Sequence, residues 1–141
     1  MQKTDRNISF MQKKETFFRT GIFMSDCIFC KIIQGEIPST KVYEDDEFFA
    51  FKDLNPQAPV HVLVIPKKHI ASLMDMEEAD APLMGRLLYR AQEIAKQLGL
   101  SEGGARFVFN CKGDAGQTVW HIHCHILGGK RLDDSFGSKK D

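Results

Sequence analysis

Between residues 81 and 98 apolar side chains return every three or four positions. Met84, Leu87, Leu88, Ala91, Ala95 and Leu98 fall on one stripe, the period of an amphipathic helix. Asp80 stands where an N-cap belongs, Pro82 suits the first turn and Gly99 closes the segment. A shorter helix is expected from Cys27, with Ile28, Ile32 and Ile33 turned inward, ending near Gly35 and stopped before Pro38. Elsewhere the rhythm is that of strands. "KVYEDD" and "EFFAFKDL" read as a hairpin turning at Asp45 and Asp46, and "VHVLVIPK" as a buried strand after the loop "NPQAP". "RFVFNCK" and "VWHIHCHILGG" read as two more strands, joined by "GDAGQT", whose glycines allow a ligand close to the backbone. Five strands mostly in hairpin order, with one long and one short helix, predict an α+β domain built on a mainly antiparallel sheet.

Residues 1–23 keep neither rhythm. They are polar with scattered phenylalanines and carry five basic against two acidic residues, so they read as a disordered extension ahead of a domain spanning 24–130. Their basic, partly amphipathic character also suits a transit peptide, against which Asp5 and Glu15 count. Met24 opens the patterned region and offers an alternative start of translation, while residues 131–141 form a charged tail. The chain has 141 residues, enough for one domain with a real core. Its 19 lysines and arginines balance 19 acids, which removes the basic excess expected of a nucleic-acid or anionic-membrane binder. No apolar run approaches the roughly 18–20 residues of a membrane span, so the expectation is a soluble, cytoplasmic protein with a small-molecule or protein partner. Four cysteines do not suggest a disulfide framework; Cys111 and Cys124 read as small buried apolar residues. Cys27 and Cys30 form a CxxC pair, which reads as half of a metal site or as a redox pair.

The chemistry concentrates in "HIHCHIL", residues 121–127, which holds three of the five histidines. On a strand, the period of two turns His121, His123 and His125 to one face and Ile122, Cys124 and Ile126 to the other. Two imidazoles about 7 Å apart along a strand can converge on zinc, but three in a row span too far to close a tetrahedron easily. Some of them therefore do something else. A neutral imidazole is a good nucleophile near pH 7 when a hydrogen bond holds one ring nitrogen and frees the other. The glycine loop before the strand, followed by Thr118, supplies N–H and hydroxyl groups suited to phosphate oxygens, which favours phosphorus chemistry.

"HIHCHIL", with "DLNPQAPVHVLVIPKKHI" and "NCKGDAGQTVW", resembles the histidine triad superfamily over roughly residues 25–129, and within it the branch of histidine triad nucleotide-binding proteins that act as purine nucleoside phosphoramidases. The resemblance implies hydrolysis of purine nucleoside 5′-phosphoramidates or related adenylates. His123 would attack the α-phosphorus to give a nucleotidyl-histidine, His125 would contact the phosphate and assist proton transfer, and His61 would position the cluster. Asn110, Thr118 and the N–H of Val119, in a loop with Gly116 and Gln117, would hold the phosphate. Asp53 would bind ribose hydroxyls, and Phe29, Ile32, Ile37, Phe51 and Leu54 would line the base and ribose pocket. Relatives with a CxxC here resemble a zinc-binding subset, which implies structural zinc on Cys27, Cys30, His69 and His121, with no catalytic metal or organic cofactor. The resemblance also implies a homodimer paired through the long helix and a strand into one continuous sheet. Thr118 replaces a serine common in relatives, and the tail "KRLDDSFGSKKD" departs from theirs, which leaves the leaving group open. A dinucleoside polyphosphate hydrolase or nucleotidyltransferase, and a nucleotide-binding regulatory protein, remain alternative readings.

Overall fold

The computed structural model describes residues 26–137; residues 1–25, which hold the expected extension and Met24, and residues 138–141 of the tail lie outside them. Helix α1, Ile28–Ile33, is followed by strands β1, Lys41–Glu44, β2, Phe48–Lys52, and β3, Val60–Pro66. The long helix α2, Ala81–Gln97, precedes β4, Ala105–Val108, and β5, Cys124–Gly128. The strands form one sheet in the order β1-β2-β3-β5-β4, and every neighbouring pair is antiparallel. At the β1–β2 hairpin Asp45 Oδ1 accepts from the backbone N–H groups of Glu47 and Phe48, both at 2.8 Å, the side-chain-to-backbone turn that an aspartate favours.

Both faces of the sheet are covered. Phe48, Ala50, Val62, Val64, Ile122, Cys124 and Ile126 pack with Met84, Leu87, Ala91, Ile94 and Ala95 of α2 in the main core. The other face carries Phe49, Phe51, Leu63 and Ile65, which α1 covers with Phe29 and Ile32. Strands buried on both faces read as apolar runs rather than as clean alternation, which is why β2 and β3 look continuous in sequence.

Several expectations change in the folded chain. The α2 stripe includes Ile94, fully buried, whereas Leu88 is 52% exposed. Asp80 occupies the N-cap position of α2 without capping it, because its carboxylate accepts from the Glu77 N–H and from Lys68 Nζ instead. Ile28 is 50% exposed, while Phe29, Cys30 and Ile32 turn inward. The inward pull on Cys30 sets that rotation. The last strand starts at Cys124, not near Val119, since β3 ends at Pro66, which has no N–H to donate and whose carbonyl is taken by the His121 ring at 2.8 Å. The Ile122 N–H accordingly bonds to the Ile70 carbonyl at 2.8 Å. The alternation survives this shortening, with Ile122, Cys124 and Ile126 in the α2 core and His123 and His125 on the opposite side. Beyond Val108 the chain leaves the sheet, so the strand expected over residues 106–112 is shorter than its apolar pattern. Among the described residues no helix is long and apolar enough to cross a membrane.

Candidate functional site

On the α1 side of the sheet lies a cavity of about 350 Å³. Phe29, Ile32, Ile37, Phe51 and Leu63 give it apolar walls, Asp53 and Leu54 border it, and Asn110, Gly116, Thr118 and Val119 come from the loop ahead of β5. His123 and His125 complete the lining. Of the residues expected to meet a nucleotide, Gln117 alone is not among them: its side chain is buried and turned back into the protein. Leu54 reaches the cavity but is 94% exposed, so it is a rim residue rather than a packed wall. Ser39, Lys52 and Leu63 were not anticipated, although Leu63 pairs with His125 across β3 and β5 and strand register would have found it.

The histidines are ordered by hydrogen bonds that assign their protons. The Gln57 N–H donates to His61 Nδ1 at 3.0 Å, so a neutral His61 carries its proton on Nε2. That Nε2 lies 2.9 Å from His125 Nδ1, which must then accept, leaving the His125 proton on Nε2. The His123 Nδ1 lies 2.8 Å from the His121 carbonyl, which can only accept, so Nδ1 carries the proton and Nε2 keeps its lone pair. Two neighbouring rings, 5.0 Å apart between centroids, thus stand in opposite roles: His123 with a free lone pair and His125 with an N–H. Burial pushes the pKa of His123 down, and burial followed by the charges of His123 and His61 pushes His125 down to about 4. Both rings are therefore neutral near pH 7, the state a nucleophile requires. Phe29 closes over His123 edge-on, with centroids 5.1 Å apart and planes at 87°. Asp53 is drawn to the cluster by its N–H, which donates to the His61 carbonyl at 3.0 Å, and its Oδ2 lies 3.4 Å from His61 Nε2.

His121 faces the other way, into a second cluster. Its Nε2–H donates to the Pro66 carbonyl, which leaves Nδ1 to coordinate. Cys27 Sγ and Cys30 Sγ lie 3.4 and 3.6 Å from that nitrogen, Cys30 Sγ lies 3.4 Å from His69 Nδ1, and the two Nδ1 atoms are 3.2 Å apart. Ordinary zinc bonds of about 2.3 Å to sulfur and about 2.05 Å to nitrogen, set tetrahedrally, place sulfur and nitrogen about 3.5 Å apart and two nitrogens about 3.3 Å apart. The four donor atoms therefore already stand near the corners of a zinc tetrahedron, and the Cys2His2 donor set is that of a closed structural site. The Cys27 thiol is pulled down, chiefly by the hydrogen bond from Cys30 and then by those of His121 and His69, while Cys30 is pushed up by sharing its proton. Zinc would take the place of that proton. Asp53, His61 and His125 also bring three ligand atoms together, but the 2.9 Å between the imidazole nitrogens is a hydrogen bond and too short for two ligands of one zinc. Cys124 is buried in the α2 core, its thiol pushed up to about 12, as inert as its small apolar neighbours.

The loop ahead of β5 is held under tension. Lys112 has φ 66° and ψ −170°, a region essentially reserved for glycine that costs on the order of 1–3 kcal/mol. Gly116 follows at φ 84°, where its lack of a Cβ is needed.

The HIT domain profile matches residues 34–132, most of the chain. The chain belongs to the HIT family. A HIT-like protein of Synechocystis is 53% identical over 105 residues, covering 74% of this chain and 91% of the relative. The 14 kDa zinc-binding protein of Brassica juncea is 50% identical over 110 residues, 77% of this chain and 96% of the relative. Among solved HIT structures, a histidine triad protein from Clostridium difficile superposes with a TM-score of 0.76 at 52% identity, covering 78% of this chain and 96% of its own. A HIT family hydrolase from Legionella pneumophila gives 0.74 at 52% identity, covering 76% and 96%. In this HIT protein the first histidine of the triad faces the zinc tetrahedron and the other two face the cavity.

Proposed function

We propose that the protein hydrolyses purine nucleoside 5′-phosphoramidates, or closely related adenylates, to the nucleoside monophosphate through a nucleotidyl-histidine intermediate. The observation that carries this reading is the pair of opposed tautomers at His123 and His125. His123 Nε2 offers its lone pair to the α-phosphorus while the bond from phosphorus to the leaving amine breaks. The leaving nitrogen takes its proton from solvent and departs as a neutral amine, while His125 Nε2–H donates a hydrogen bond to a phosphoryl oxygen and His61 Nε2–H, bonded to His125 Nδ1, holds that ring in place. Water then attacks the phosphorus, loses a proton to solvent and releases His123 as the neutral ring. The apolar walls around Phe29 and Phe51 suit a purine, Asp53 the ribose hydroxyls, and Asn110, Thr118 and the loop backbone the phosphate oxygens. Similarity to a protein named as a HIT family hydrolase supports hydrolysis at the coarser level. Zinc on Cys27, Cys30, His69 and His121 acts in this scheme only as a brace between α1 and the sheet. The working unit is a cytoplasmic homodimer, in which the exposed Leu88 and Tyr89 of α2 and Phe107 of the edge strand β4 meet a second copy.

The test is release of AMP from adenosine 5′-phosphoramidate, in competition with diadenosine polyphosphates. His123→Ala is expected to abolish turnover while AMP still binds. Undiminished turnover by that variant removes the nucleophile, and faster cleavage of the dinucleotides moves the protein to another branch of chemistry.

A further inference from the structure

Gln117 is a residue of the phosphate-side loop with no place in the cavity lining, and its side chain is nonetheless 6% exposed and fully engaged. Its Oε1 accepts from the Lys112 N–H at 2.7 Å, and the Gln117 backbone N–H donates to the Lys112 carbonyl at 3.0 Å. Those two bonds close residues 112–117 into a ring around the short turn Gly113–Ala115. The ring contains the one non-glycine residue at positive φ among the described residues, Lys112. A lysine stays in a conformation suited to glycine only where its surroundings over-determine it, and the Gln117 amide is what grips it. The other end of the same amide is also committed. Its Nε2 donates to the Val119 carbonyl at 3.0 Å and to the Ala71 carbonyl at 2.8 Å, which ties the loop to the segment after His69. The Ile122 N–H bond to Ile70 runs alongside.

From this geometry we propose that Gln117 is a positioning residue for phosphate: its amide never touches the nucleotide but holds Gly116, Thr118 and Val119 in the shape that receives the phosphate oxygens. The inference rests on the nucleotide-hydrolase reading above and deepens it. Three neutral hydrogen bonds inside a nearly buried site rigidify the loop before ligand arrives, so the ordering cost is met in folding rather than in binding. The effect is then expected to be confined to ligands that carry a phosphate, because none of the Gln117 hydrogen bonds goes to Phe29, Ile32, Ile37, Phe51, Asp53 or Leu54, the residues assigned to purine and ribose.

Gln117→Met keeps the length and shape of the side chain and removes all three hydrogen bonds. Calorimetric titration of the variant with AMP and with adenosine reads the prediction directly. AMP affinity is expected to fall on the order of tenfold with adenosine affinity unchanged, and KM for the phosphoramidate to rise more than kcat falls. Equal weakening of AMP and adenosine, or no weakening of AMP, overturns the proposal. A wild-type protein that binds AMP no better than adenosine would instead overturn the nucleotide-hydrolase reading, and this proposal with it. Hydrogen exchange in the wild-type protein provides a measurement independent of the variant's folding: the Lys112 amide is expected to be protected despite its surface position, and exchange at the rate of a free loop amide also overturns the proposal.

Discussion

His125 offers the sharpest quantitative test, because its environment sets both a sign and a size. Burial, and then the charges of His123 and His61, hold its pKa at about 4 in the folded protein, against about 6.5 in an unfolded chain. The native state therefore refuses a proton that the unfolded state accepts. Stability from this source is complete above pH 6.5, is lost as pH falls from 6.5 toward 4, and falls no further below that. Between pH 7.5 and pH 5 the linkage amounts to about 2 kcal/mol, from ~1.4 kcal/mol for each pH unit by which the two states differ. The ring borders an open cavity, and solvent screening trims the figure to about 1 kcal/mol. The perturbation is His125→Gln, an amide that does not titrate. Thermal unfolding of wild type and variant at both pH values cancels the acid-sensitive groups that His125 does not touch, the cysteine cluster included. The wild type is expected to lose more Tm on acidification than the variant, by about 3–5 °C for a domain of this size. Identical losses would refute the assignment of His125 as a neutral ring that donates from Nε2 at neutral pH.

Two further outcomes follow from the same structure. The purified protein is expected to contain about one zinc per chain by elemental analysis, with Cys30→Ser losing the metal and several kcal/mol of stability; a metal-free wild type that melts at the same temperature as the loaded protein would contradict the brace. Leu88→Asp places a charge on the exposed face of α2 at little cost to the core, so sedimentation should shift from dimer toward monomer, and an unchanged dimer would move the interface elsewhere.

Much of the fold was legible in sequence because its signals are local. The hairpin at Asp45 needs only an aspartate that bonds to its own backbone, and α2 needs only a stripe of the right period ended by Gly99 at φ 82°. The folded chain departs from the local pattern where another group claims the side chain. Asp80 had the chemistry of a cap, yet Lys68 and the Glu77 N–H claim its carboxylate. Ile28 had the spacing of a buried residue, yet the helix turned to carry Cys30 toward His69 and His121.

The site divides along the same line. Residue types and spacing alone nominated three alternating histidines, a CxxC pair and a glycine loop as the places where chemistry happens. They also named the four metal-facing residues through a family likeness. Which histidine performs which task could not be read there, because a proton's position on an imidazole depends on the groups that face its two nitrogens. Those groups are the Pro66 carbonyl at His121, the His121 carbonyl at His123 and the His61 ring at His125, and the first and last arrive from another part of the chain. Gln117 shows the limit most plainly. In sequence it is one more polar residue in a phosphate loop, and only the folded chain brings Ala71, 46 positions away, to the far end of its amide.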